Sequence, residues 1–116
     1  MQEPGINSSL QTVDLFNLFK QQLKKDFESS GLPAAFTDEL PASFEPLKAL
    51  VAKQVQAIVK NSPSLLQVLL YRIDISEQQL GKYQAQHSQM PYEEMLAELI
   101  IKRVLQKVIL RKNFSS

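Results

Sequence analysis

The sequence predicts an all-α fold, a compact bundle of four to five helices closed by a long C-terminal helix. Three observations predict it. Apolar residues recur at three- and four-residue steps in successive stretches, residues suited to starting or stopping a helix bound those stretches, and only one short segment alternates as a strand would. The chain of 116 residues fits one domain, read as a flexible leader over 1–11 and a single helical domain over 12–116. With 44% hydrophobic and 22% charged residues, it holds enough apolar area for a core without metal or disulfide support.

The leader reading rests on Pro4, Gly5, Asn7, Ser8 and Ser9, which show no period. A first helix is expected from Val13 to Ser29, with Thr12 as N-cap and Asp14 favouring the positive end of the dipole. Phe16, Phe19, Leu23 and Phe27 form its stripe, Leu15 and Leu18 widen it, and Gly31 with Pro33 ends it. Residues 30–43 are read mostly as connection, with one helical turn between Ala34 and Leu40 and with Phe36 and Leu40 as core plugs.

The second long helix is expected over 44–60. Ser43 caps it, Pro46 sits in the first turn, and Leu47, Leu50, Val51, Val55, Ile58 and Val59 share a face. Ser62 and Pro63 then restart the chain as N-cap and first helical residue of a helix carrying Leu65, Leu66, Val68, Leu69, Leu70 and Ile73. Tyr71–Ile75 alternates apolar and polar residues. A lone strand has nothing to pair with, so the segment is read as a helix end or an extended link. Ser76 with Gln79 makes a capping-box pattern for a short helix to about His87.

The last helix is expected from about Pro91 to Lys112. Met95, Leu96, Leu99, Ile100, Ile101, Val104, Leu105, Val108, Ile109 and Leu110 occupy every sector of its wheel, so it needs cover on every side. Either it is the central helix or a second chain covers part of it. The expected core draws on Phe16, Phe19, Leu23, Phe27, Leu50, Val51, Val55, Ile58, Leu66, Leu69, Ile73, Leu99, Ile100, Val104 and Val108.

Charge and composition exclude several function classes. The formal charge of +1 provides no global field for nucleic acid or anionic membrane, although residues 1–58 carry −2 and 59–116 carry +3. Without cysteine there is no disulfide, thiolate metal site or cysteine nucleophile. The N-terminus lacks a signal-peptide pattern and no apolar run approaches a membrane span, so the chain is read as soluble and cytoplasmic.

No catalytic constellation is visible, no cofactor or metal is implied, and the chain is read as non-enzymatic. The sole histidine, His87, neighbours Ser88 and has Ser76 and Asp74 nearby in sequence, without a nucleophile-elbow motif. At a helix C-terminus its role is read as structural. Glu93, Glu94 and Glu98 offer oxygen ligands, yet acids in first turns complement the dipole, and Glu98 precedes Lys102 by the four residues of a helical ion pair. Asp38 and Glu39 suit a solvated turn, and Arg72 with Asp74 a local ion pair. Gly5, Gly31 and Gly81 stand too far apart to cradle a phosphate, and Tyr71, Tyr83 and Tyr92 are read as half-buried with wet hydroxyls.

Two function classes follow as expectations. The first is a protein–protein interaction or scaffold module, self-associating as a homodimer or binding another protein through Ile101, Leu105, Val108 and Ile109 of the last helix. The second is a small regulator that holds nucleic acid or anionic lipid through Lys102, Arg103, Lys107, Arg111 and Lys112, although these scatter around the wheel.

Overall fold

A computed structural model describes residues 5–114, and its elements follow in chain order. Helix α1 spans Gly5–Leu10, α2 Val13–Ser29, α3 Phe44–Asn61, α4 Pro63–Ile73, α5 Glu77–Gln86 and α6 Tyr92–Phe114, with a 3₁₀ turn over Ala35–Glu39 between α2 and α3. The fold is the all-α bundle with a long C-terminal helix that the periodicity predicts.

The helix ends have local causes. After α2, Gly31 takes φ 81°, and the amides of Gly31 and Leu32 donate to the carbonyls of Glu28 and Phe27 at 3.0 and 2.9 Å. This is a Schellman closure, and the residue after the glycine, Leu32, is buried as the motif favours. The same closure ends α4. There Asp74 stands at φ 71°, and the amides of Asp74 and Ile75 donate to Tyr71 and Leu70. The alternation over Tyr71–Ile75 is thus a helix end, because Ile73 faces the core from the last turn and Ile75 returns to it after the left-handed residue. Helix α5 opens on the predicted capping box. The Gln79 amide donates to Ser76 Oγ at 3.1 Å, and the Ser76 amide donates to Gln79 Oε1 at 2.9 Å.

One expectation changes at the N-terminus. Residues 5–10, read as part of a flexible leader, form α1, and Ile6 and Leu10 enter the core four residues apart on one side of that turn. Two apolar anchors at helical spacing outweigh the surrounding Gly, Asn and Ser. Residues 1–4 of the leader lie outside the described residues. The Ala35–Glu39 turn seats Phe36 edge-on against Phe27, with centroids 4.9 Å apart, and buries Leu40.

Helix α6 is the axle of the bundle. It packs most extensively against α3, then α2, and also touches α4 and α5. Met95, Leu96, Ala97, Leu99, Ile100, Ile101, Val104, Leu105 and Val108 are all buried within the single chain. The apolar wheel is therefore covered by the chain's own helices up to Val108, while Ile109 is half-buried and Leu110 is exposed. Of the predicted core, Phe16 and Leu50 are only partly buried, while Leu18, Val59 and Val68, counted on apolar faces, stand 37–39% exposed. Among the described residues, no helix is long and apolar enough to cross a membrane.

Candidate interaction surface

The burial of α6 relocates the first group of predicted site residues. Ile101, Leu105 and Val108 are 0, 4 and 3% exposed and Ile109 is half-buried, so their side chains are spent on the core. An interface built on them needs the bundle to open, at about 1.5–3 kcal/mol per large apolar side chain returned to water. Dimerisation through that face of α6 loses the reason the wheel gave for it, because intrachain neighbours already supply the cover.

The C-terminal bases divide into two sets. Lys102 lies over the Tyr83 ring with Nζ 4.7 Å from the centroid. Arg103 donates to Gln106 at 2.8 Å and reaches the Asp74 carboxylate at 3.4 Å and the Asp74 carbonyl at 3.3 Å. Lys107 meets the buried Asp26 carboxylate at 3.5 Å and donates to the Arg72 carbonyl at 3.3 Å. Arg103 and Lys107 thereby serve the end of α4, where carbonyls emerge without helical partners and attract positive charge. Arg111 and Lys112 do neither. They are exposed, with no ion pair or hydrogen bond among the described residues.

Arg111 and Lys112 line a groove of about 520 Å³ between α2 and the last turns of α6. Its α2 wall carries Asp14, Asn17, Leu18, Gln21, Gln22 and Lys25, with Val108 on the α6 side. Those α2 positions recur at three- and four-residue steps and so present one continuous face of the helix over about 16 Å. Leu18, 39% exposed, and Val108 give the groove an apolar floor. Gln22 is locked against it by a 3.0 Å hydrogen bond from its amide to Asp26. Lys25, like Arg111 and Lys112, is exposed and makes no ion pair among the described residues, so the rim holds three basic groups against the single acid Asp14.

A second cluster lies where α3, α5 and α6 meet. Glu98, 8% exposed, accepts the Tyr83 hydroxyl, faces His87 Nε2 at 3.6 Å and lies 3.5 Å from Lys48 Nζ. Lys48, 7% exposed, also meets Glu94 at 3.2 Å and Glu45 at 3.4 Å. Burial alone lowers the Lys48 pKa, but the hydrogen bond to Glu94 and the charges of Glu45 and Glu98 outweigh it. The ammonium is held above its ordinary 10.5. His87 stacks on Tyr83 with centroids 4.0 Å apart, and its Nδ1 faces the Tyr83 carbonyl at 2.9 Å, which makes that nitrogen the donor.

Of the carboxylates weighed as oxygen ligands, Glu94 and Glu98 both grip Lys48. Both ring nitrogens of His87 face protein atoms. The sequence held the signals for this cluster. Glu98 is an acid inside the run Met95–Ile101, and Lys48 lies on the ridge of Phe44, Val51 and Val55.

No protein-family model, curated protein or solved structure matches this chain, so the reading of its function rests on its own geometry.

Proposed function

We propose that this chain is a non-enzymatic protein–protein interaction module whose docking surface is the α2–α6 groove, taking a helix of another protein. The observation that carries the reading is a three-turn helical face with an apolar floor and a rim of three bases that make no ion pair among the described residues. Helix-in-groove recognition uses such a surface, with apolar anchors in the floor and charges setting partner choice along the edges. A binding role is favoured over catalysis because the titratable groups that meet in the interior, Lys48, Tyr83 and His87, all face Glu98.

A second copy of the chain suits this groove poorly. Two rims brought together set six basic groups against two acids, and like-charge juxtaposition at an interface costs several kcal/mol. The cysteine-free composition suits work in the reducing cytoplasm.

Selection of a displayed library of helical peptides against the immobilised protein tests the reading. Binders are expected that lose at least tenfold in affinity on Leu18→Glu, with the variant's circular dichroism and Tm unchanged. Binders indifferent to Leu18→Glu would overturn the groove as the docking surface.

A further inference from the structure

Resting on that reading, we infer that the groove selects an acidic amphipathic helix, with acids flanking an apolar edge about three turns long. Of the nine charged side chains that α2 and the last two turns of α6 carry between Asp14 and Lys112, five stand apart from the groove lining. Lys20 lies over Phe16, Lys24 pairs with Asp38, Asp26 with Lys107, and Glu28 lies off the groove. The charges left lining it are Lys25, Arg111 and Lys112, with Asp14 at the far end of the α2 wall.

The placement of the bases along the groove follows from the path of α6. Lys107 meets Asp26, and one turn later Arg111 and Lys112 line the same groove as Asp14–Lys25, so α6 runs from the Asp26 end of α2 towards its N-terminal part. Lys25 therefore stands near one end on the α2 wall, and Arg111 and Lys112 stand further along on the α6 wall. A helix seated on Leu18 and Val108 has basic groups on both flanks. Glutamates beside its apolar edge meet charges that have no other partner among the described residues.

The same bases could in principle hold a nucleic-acid backbone, but the surface favours a helix. Its floor is apolar, and it offers three cations where duplex binders commonly neutralise six to ten phosphates.

Fluorescence anisotropy with three labelled probes decides the matter. One is a fifteen-residue helix with leucine on one edge and glutamate on both flanks, the second has lysine in place of glutamate, and the third is a twelve-nucleotide single strand. The glutamate peptide is expected to bind at least tenfold tighter than the lysine peptide at low salt, with the gap narrowing as salt rises. The doubly reversed variant, Arg111→Glu with Lys112→Glu, is expected to prefer the lysine peptide instead. Equal binding of both peptides with sensitivity to Leu18→Glu would overturn the acidic preference and leave the docking groove standing. Tighter binding of the oligonucleotide, or a reversed variant that keeps the original preference, would also overturn it. Library binders indifferent to Leu18→Glu would sink the groove itself.

Discussion

The two ends of α6 are built from similar residues and do different work. From Met95 through Ile101 seven successive residues are buried, and the one charge among them, Glu98, is met from α3 and α5 by Lys48, Tyr83 and His87. From Ile109 to Lys112 the helix emerges. Ile109 is half-buried, Leu110 is 55% exposed, and Arg111 and Lys112 have no partner among the described residues. The lesson is that polarity alone does not assign a role. Glu98 is a structural element because its surroundings are built around it, whereas Arg111 and Lys112 meet no such surroundings among the described residues.

The contrast breaks most easily at the first end. Ile100→Ala removes a fully buried side chain from the axle and is expected to cost about 4 kcal/mol, read by chemical denaturation. Its counterpart at the other end, Arg111→Glu with Lys112→Glu, is expected to stay within about 0.5 kcal/mol of the parent. A large loss there would show that the rim supports the fold.

Charge at the two ends sharpens the comparison. Glu98→Ala leaves Lys48 with only the more exposed Glu45 and Glu94 and strands the Tyr83 hydroxyl, at an expected cost of about 3 kcal/mol. Glu98→Gln, which can still accept from Tyr83, should cost less. If Glu98→Ala proves as mild as the rim variants, the cluster is not structural.

Alkaline titration isolates Lys48. Its pKa in the folded chain lies above 10.5, so its stabilisation is fully present below that value and is lost as pH rises through the folded pKa. The stability difference between the parent and Lys48→Met is expected to stay level up to about pH 10 and to shrink beyond it. A difference that grows with pH would contradict the sign.

A modest effect, and one of opposite sign, is expected at the end of α4. Asp74→Gly relieves a left-handed residue, worth about 1 kcal/mol, while the backbone carbonyl that Arg103 reaches is kept. A modest rise in Tm is expected, and a fall would show that the Asp74 carboxylate matters more than its backbone strain.

Much of this fold was legible because local chemistry and global packing agree. The α2 bounds, the Pro63 restart and the Ser76–Gln79 capping box each follow from a few neighbouring residues. Gly31 announced the end of α2, but Asp74 hid the end of α4, because an aspartate in a left-handed conformation looks like any other polar residue. Helix α1 was missed since Ile6 and Leu10 are too few to make a period. The wheel of α6 gave its need for cover correctly but not the source of that cover, which depends on how α2, α3, α4 and α5 close around it. The groove was half legible. Arg111 and Lys112 were singled out, yet Leu18 was read as widening the apolar stripe of α2 and the polar residues beside it as its outer face, because only the arrangement of α2 beside α6 joins them to the C-terminal bases.

Hydrogen–deuterium exchange with and without the glutamate-flanked peptide tests most directly the division of labour along α6. Slowed exchange is expected over residues 14–25 and 108–112, with none of it over 95–101. Unchanged exchange at both groove walls, or protection confined to other elements while the peptide is bound, would contradict it.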